Sequence, residues 1–376
     1  MTLPLSRRSF VLGASSSLAL ASLPFSASTY AQFYEKKIPE LRGKNFDLTI
    51  GYQQVNFTGK TKMATTINGS LPGPTLYWKE GEIITLRVTN HLAEQTSLHW
   101  HGIVLPTEMD GVPGLSFDGI NPGETFEYRF QVKQSGTYWY HSHSGFQEQT
   151  GIYGAIIIEP NTPDPVGYDR EHIVMLSDWS DENPHAVEKK LKKLSHYYNF
   201  QNRTAVDLWK DIKEKGVKQT WDERSMWNEM RMSDRDISDV TGATYTFLMN
   251  GYTPSDNWTA LFKKGERIRL RFINGSAMTF FDVQIPGLKM TVVAADGQSV
   301  EPVTVDEFRM GVAETYDVIV QPESDMAYAI FAQAIDRSGF ACGRLTANKE
   351  LTAAHPKLDS VPESLIQYEV SLKEGV

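Results

Sequence analysis

The sequence predicts an all-β protein that contains one fold twice, and three observations support this prediction. Runs such as Glu82 to Thr89 and Thr125 to Val132 alternate apolar and polar residues, which is the two-residue period of half-buried strands. Turn signals such as Asn68-Gly69 and Pro122-Gly123 separate the runs. The same order of runs and turns then recurs later in the chain. This texture is typical of a β-sandwich or barrel.

The recurrence is an internal repeat with a fixed offset. The segment from Gly81 to Asn90 reads GEIITLRVTN, and the segment from Gly265 to Asn274, 184 positions later, reads GERIRLRFIN. The turn Ile67-Asn68-Gly69 is likewise matched by Met249-Asn250-Gly251. Self-similarity of this kind indicates two copies of one structural unit.

The repeat divides the chain into two strand-rich domains with flanking segments. A polar, charged stretch that looks helical in places interrupts the second domain and is expected to lie outside its strands. The predicted segments are a leader at 1–31, a first domain at 44–160, a second domain at 166–345, an insertion at about 183–240 within it, and a C-terminal tail or linker at 346–376.

The N-terminus has the features of a twin-arginine export leader. Arg7 and Arg8 lie in Ser-Arg-Arg-Ser-Phe, and an apolar stretch of small residues follows to about Leu23. Cleavage near Ala31 fits the small residue there. No later segment approaches the roughly 18 apolar residues that a spanning helix needs. We therefore expect the twin-arginine machinery to export the protein to the periplasm, with no membrane span.

Composition excludes several classes of function. The chain has 37 basic and 46 acidic residues, a net charge of -9, and no basic stripe, so nucleic acid is not an expected partner. Its single cysteine, Cys342, excludes an internal disulfide and a thiolate cluster. Stability must come from packing.

Two His-x-His pairs are the strongest candidates for chemistry. His99 and His101 flank Trp100, and His141 and His143 flank Ser142. On a strand, residues two apart project from the same face, so each pair offers two nitrogens together. Imidazole suits copper, zinc, iron or nickel, and spacing alone leaves copper and zinc open. A single pair can also be a surface or packing feature.

Longer motifs around these pairs resemble a known family. His-Trp-His-Gly at 99–102, Met-Asp-Gly at 109–111 and the segment from Gly136 to Ile158 are similar to the first cupredoxin domain of multicopper oxidases. The likeness is greatest to the laccase-like bacterial copper-resistance oxidases, which also carry a twin-arginine leader. It extends from about Asn45 to Leu345. The resemblance implies tandem cupredoxin-like Greek-key β-sandwiches, with a partly helical insertion in the second.

The resemblance also implies roles for individual residues. His99 would bind a type-2 copper, and His101, His141 and His143 would bind a type-3 copper pair. Asp110 matches the carboxylate that helps to deliver protons to dioxygen in this family. Without the resemblance, Asp110 would be interpreted as a loop aspartate that precedes a glycine turn.

Other family motifs do not occur in the chain. It contains no second His-x-His-Gly and no His-Cys-His, and the second repeat has Tyr328 to Gln333 where the first has Tyr138 to His143. Cys342 has no neighbouring histidine, so we expect an inert thiol rather than a blue type-1 copper ligand. The family pattern therefore predicts that the third domain, the type-1 site and half of the cluster ligands are missing.

Three functions remain open at this stage, and whether this chain alone is an enzyme is uncertain. One is a laccase-like oxidase that uses dioxygen to oxidise cuprous ion or phenols. Another is a periplasmic protein that binds and sequesters copper ions without turnover. A third is a two-domain oxidase or nitrite-reductase-like trimer, which needs a blue copper site that the sequence does not offer. We favour the oxidase family, with copper binding as the activity of the isolated chain.

Overall fold

The computed structural model describes residues 38–199, 205–230 and 238–359, so the predicted leader and residues 360–376 lie outside it. Strands dominate, and three helices occur between the tenth and eleventh strands. The strands are β1 (Glu40–Arg42), β2 (Asn45–Val55), β3 (Lys62–Ile67), β4 (Thr75–Lys79), β5 (Ile83–Asn90), β6 (His99–His101), β7 (Thr125–Gln131), β8 (Gly136–His141), β9 (Tyr153–Glu159), β10 (Arg170–Ser180), β11 (Tyr245–Met249), β12 (Trp258–Leu261), β13 (Ile268–Asn274), β14 (Phe281–Gln284), β15 (Met290–Ala295), β16 (Gln298–Val305), β17 (Glu307–Met310), β18 (Thr315–Val320), β19 (Ala327–Ala334) and β20 (Phe340–Thr346).

The first nine strands form one sandwich. A four-stranded sheet in the order β3-β2-β5-β7 faces a five-stranded sheet in the order β1-β4-β9-β8-β6. The inward side chains form a single aromatic and aliphatic core that includes Trp78, Trp100 and Tyr128. The period of two seen in the sequence is present in β5, where Ile84, Leu86 and Val88 are fully buried.

The last eleven strands form the second sandwich. Its sheets have the orders β11-β10-β13-β18-β15-β16 and β12-β20-β19-β14-β17. The core between them includes Phe272, Phe281 and Ile330, all fully buried. The two sandwiches confirm the predicted all-β tandem architecture with a partly helical insertion in the second copy.

Strand pairing shows that the second sandwich repeats the first. β5 pairs in parallel with β2 and antiparallel with β7, and β13 pairs in the same two ways with β10 and β18. The turns repeat as well: Asn68 and Asn250 have φ of 51° and 52°, each followed by a glycine. Asn90 and Asn274, at the ends of β5 and β13, both use their buried amide groups to hold neighbouring loop carbonyls.

Among its described residues, the insertion contains three α-helices, α1 (Pro184–Lys193), α2 (Ala205–Lys215) and α3 (Val217–Met230). The Asn183 side chain caps α1 by accepting a hydrogen bond from the His185 N–H at 2.9 Å. Val187 and Leu191 of α1 pack against the core of the second sandwich. No helix within the described ranges has the length and apolar character needed to cross a membrane.

The two sandwiches share a buried interface behind β8. Trp139, Tyr153 and Ala155 of the first pack against Met175 and Ile273 of the second. Through this contact the second sandwich packs against β8, the strand that carries His141. The second sandwich itself has no histidine on β14 or β19. The domain limits 44–160 and 166–345 stay predictions.

A charged network lies beside this apolar contact. The hydroxyl of Thr137, on β8, donates to the Asp317 carboxylate at 2.7 Å, and Asp317 also accepts from the guanidinium groups of Arg269 and Arg271. Asp317 and Thr137 are each 1% exposed. Asp164 and Glu171 pair with Arg269 and Arg271, respectively. Every charge in the network therefore has an opposite partner.

Candidate metal centre

Two adjacent antiparallel strands carry His99, His101 and His141, and His143 lies in the loop after the second strand. In the pairing of β6 with β8, His99 lies opposite His141 and His101 lies opposite Trp139. The alternate residues Trp100 and Tyr140 point into the core and are fully buried. The imidazoles of His99 and His101 must therefore face the other side of the sheet.

The structure brings all four imidazoles together. The ring centroid of His99 lies 5.7 Å from that of His101, 5.5 Å from that of His141 and 4.8 Å from that of His143. The ring centroids of His141 and His143 are 4.9 Å apart. His143 follows the end of β8, and its ring is the most exposed of the four.

Asp110 holds His99 from the Met-Asp-Gly turn. The Nδ1 atom of His99 lies 2.9 Å from the backbone oxygen of Asp110 and 3.3 Å from its carboxylate Oδ1. Gly111 has φ of +76°, and a Cβ there would lie 1.8 Å from the Leu98 carbonyl oxygen. Glycine is therefore needed for the turn to approach the strand so closely. The structure thus places Asp110 beside the histidine cluster, and its proton-transfer role stays a prediction.

Trp139 and Glu148 hold His141 from two directions. The Trp139 indole stacks on the His141 ring with centroids 4.1 Å apart and planes 11° apart. The Nδ1 atom of His141 lies 2.7 Å from Glu148 Oε2 and 3.2 Å from the Ser142 carbonyl oxygen. On its other edge, His141 Nε2 lies 3.3 Å from His101 Nδ1.

The loop after β8 is fastened by buried hydrogen bonds. Gln147 is 4% exposed; its side chain donates to the Gln95 carbonyl and accepts from the hydroxyls of Thr96 and Ser142. The Ser97 hydroxyl accepts from the His143 N–H at 3.0 Å. The loop is therefore tied to the segment that leads into β6.

The surroundings favour the neutral form of three of the four imidazoles, those of His99, His101 and His143. Burial, together with the neighbouring histidines, lowers the pKa of His101 to about 4. Burial also lowers the pKa of His99, against the opposing effect of Asp110. The pKa of His143 is lowered by burial and by His141 and His99. Neutral rings carry the free lone pairs that metal ligation needs.

The donor set fits a copper ion. One ligand atom from each of His99, His101 and His141 can be chosen so that all lie within 4.8 Å of one another. This is the one group of that kind found among the described residues. Clustered imidazoles, with hydrogen bonds on the second nitrogens of His99 and His141, are typical of histidine metal sites, and copper leads the affinity order for nitrogen donors.

Sequence reasoning missed Glu148 and Trp139 as members of the site. Both lie in the segment from Gly136 to Ile158 that carries the family resemblance, but their side-chain chemistry alone gave no signal. Cys342 lies on β20 of the second sandwich, and burial raises the pKa of its thiol to about 11. This agrees with the expectation of an unreactive thiol.

Comparisons with known proteins identify the family. Two protein-family models, both described as multicopper oxidase, match residues 49–163 and 204–355 of the sequence. The chain is 59% identical over 363 residues to copper resistance protein A of Escherichia coli, and 58% identical over 358 residues to a homologue in Pseudomonas syringae pv. tomato. The chain belongs to the multicopper oxidase family.

The matches cover nearly all of this chain but only part of each relative. The alignments include 96% and 95% of this chain, and 60% and 61% of the two copper resistance proteins. Among solved structures, the laccase of Botrytis aclada matches with a TM-score of 0.64 at 26% identity, over 88% of this chain and 57% of the laccase. A blue copper oxidase of Nitrosomonas europaea shares the fold, with a TM-score of 0.60 at 24% identity, over 89% and 95% of the respective chains.

Proposed function

We propose that this chain provides the first-domain half of the copper site in a copper-resistance oxidase. The oxidase couples the oxidation of cuprous ion or a phenolic substrate to the reduction of dioxygen. The observation that carries the proposal is the convergence of four imidazoles, three from two adjacent strands and one from the loop that follows, in a chain that is similar to copper resistance protein A. The chain spans about 60% of the length of those relatives.

Each residue of the cluster has a proposed role. His99 holds a type-2 copper, while His101, His141 and His143 hold the type-3 pair. Copper bound there would supply electron transfer to dioxygen. Asp110 orients His99 through its backbone oxygen, and its side chain, which is 35% exposed, is the proposed relay of protons between solvent and the site.

Turnover needs more ligands than the described cluster offers. Four imidazoles provide half of the eight that a complete type-2 and type-3 cluster uses in this family, and the sequence has no His-Cys-His for a type-1 copper. We therefore propose that catalysis depends on a further cupredoxin domain that supplies the remaining ligands. We also propose the domain limits: 44–160 for the domain that carries the histidines and 166–345 for the domain without copper ligands.

Copper sequestration without turnover is the second candidate. The observation that favours it is that three ligand atoms already lie within 4.8 Å of one another inside this chain. Such a cluster can bind copper without another domain, although water must complete each coordination shell and lower the affinity.

Export to the periplasm completes the proposal. Arg7, Arg8 and the apolar stretch that follows support export by the twin-arginine machinery. Replacing both arginines by lysine should leave the protein in the cytoplasm, as measured by cell fractionation. Periplasmic accumulation of this variant at the wild-type level would refute the route.

The central experiment measures copper binding by the purified chain. We expect Cu(II) to bind, with no intense absorption near 600 nm (roughly where a cysteine ligand absorbs) and no sustained oxygen uptake with a phenol or cuprous ion. Replacing His99 and His141 by alanine should weaken binding at least about 10-fold. The exposed His91, elsewhere in the first sandwich, is the matched control, and His91→Ala should bind as the wild type does.

Two results would contradict the proposal. Copper binding that survives replacement of all four histidines would move the site elsewhere. An intense blue band or sustained oxygen uptake from the chain alone would show a type-1 site, and so would refute the dependence on a further domain.

A further inference from the structure

Glu148 contacts the candidate ligand His141 in a geometry that constrains the imidazole. Its Oε2 atom lies 2.7 Å from His141 Nδ1, and the two side chains are 26% and 7% exposed. The Glu148 backbone is fixed, because its carbonyl accepts from the Gly151 N–H at 3.1 Å. The carboxylate is therefore held next to this nitrogen by the fold of the loop.

The remaining contacts of His141 distinguish its two ring nitrogens. Stacking on Trp139 fixes the plane of the ring. The Ser142 carbonyl, 3.2 Å from Nδ1, is a second acceptor on the same edge as Glu148. A neutral imidazole carries one hydrogen, and two acceptors at Nδ1 place it there. The lone pair is then on Nε2, the atom that faces His101 Nδ1 at 3.3 Å.

We propose that Glu148 is a positioning residue that fixes the tautomer of His141, so that Nε2 presents its lone pair to the cluster. The same arrangement occurs at His99, whose Nδ1 is held by Asp110. Carboxylates that accept from the distal nitrogen of a ligating histidine orient the ring and increase its basicity. The consequence for copper affinity rests on the function proposed above, whereas the tautomer does not.

The first test uses the metal-free chain with ¹⁵N-labelled histidine. Long-range ¹H–¹⁵N spectra, with His141 assigned by its replacement with glutamine, should show its hydrogen on Nδ1. Glu148→Ala should shift His141 toward a mixture of tautomers. Glu148→Gln keeps an amide oxygen that accepts from Nδ1–H, so it should largely retain the wild-type tautomer. Glu94→Ala is the matched control, because Glu94 contacts Gln147 of the same loop but no histidine.

The second test measures Cu(II) affinity by competition with a chelator. Glu148→Ala should bind about 10- to 100-fold more weakly, Glu148→Gln should fall between it and the wild type, and Glu94→Ala should match the wild type. Hydrogen on Nε2 of His141 in the wild type would overturn the proposal, as would an unchanged tautomer in Glu148→Ala. A wild-type chain that binds no copper would instead refute the proposed function, and the tautomer result would still decide the role of Glu148.

Discussion

Replacing Asp317 with asparagine tests whether the charged network between the sandwiches stabilises their interface. The Asp317 carboxylate accepts hydrogen bonds from Thr137 at 2.7 Å, from Arg269 at 2.6 and 3.0 Å, and from Arg271 at 3.0 Å. An asparagine has a similar shape, but it lacks the charge and turns an amide N–H₂ toward one guanidinium group. Two arginines that are 6% and 5% exposed then lose their shared counter-charge.

The expected loss follows from the burial of the charges. Removing one partner of a buried ion pair costs about 3–5 kcal/mol, because the other charge stays buried without compensation. Arg269 and Arg271 keep Asp164 and Glu171, so we expect the lower limit, about 3 kcal/mol. For a domain of this size, the midpoint of thermal unfolding should fall by about 6–12 °C.

Thermal and urea unfolding, followed by tryptophan fluorescence, measure this loss. Thr137→Val removes only the hydroxyl, so it should cost about 1–3 kcal/mol. Asp47→Asn is the exposed control; its pair with Arg87 lies at the surface, and its unfolding midpoint should not move. A midpoint for Asp317→Asn equal to that of the control would refute the argument.

Three further predictions concern other parts of the molecule. Gly111→Ala should cost more than the roughly 1–3 kcal/mol of backbone strain at φ +76°, because the new Cβ also overlaps the Leu98 carbonyl oxygen beside the site. It should therefore weaken copper binding as well, and equal affinity and stability would refute this. With its pKa raised to about 11 by burial, Cys342 should react with a thiol reagent at pH 8 only after unfolding; rapid labelling of the native protein would contradict it. Burial lowers the pKa of His172, so the unfolded chain takes up the proton first, and the free energy of unfolding should fall as pH drops below about 6.5. His172→Gln should remove that part of the pH dependence, and an unchanged profile would show that His172 does not contribute.

The sequence was sufficient to predict the sandwiches because their strands follow local rules. The alternation at Ile83–Asn90 reflects one buried face, and the Asn-Gly turns are fixed by their positive φ. β13 is an element for which local rules are insufficient. Its alternating charged residues Arg269 and Arg271 suggest an exposed face, yet every residue of Ile268–Asn274 is buried. The first sandwich covers that face, and no pattern within the strand reports a contact with a distant segment.

In the candidate site, too, some features follow local sequence rules and others depend on contacts between distant segments. Spacing predicts that His99 and His101 share a face, since this is a property of any strand. The contact between Glu148 and His141 depends on the path of a loop tied down by Gln147, and residues in such loops have no period to read. The role of Asp110 was suggested by resemblance alone, because an aspartate before a glycine is common in turns.

The place of β6 at the rim of its sheet affects how the molecule meets its surroundings. β6 is three residues long and ends the order β1-β4-β9-β8-β6, so no described strand pairs with its outer side. The Met-Asp-Gly turn lies beside this strand instead, with the Asp110 backbone oxygen 2.9 Å from His99 Nδ1. So short an edge strand also offers few free backbone groups to a second chain, which limits sheet extension and aggregation at this edge of the domain.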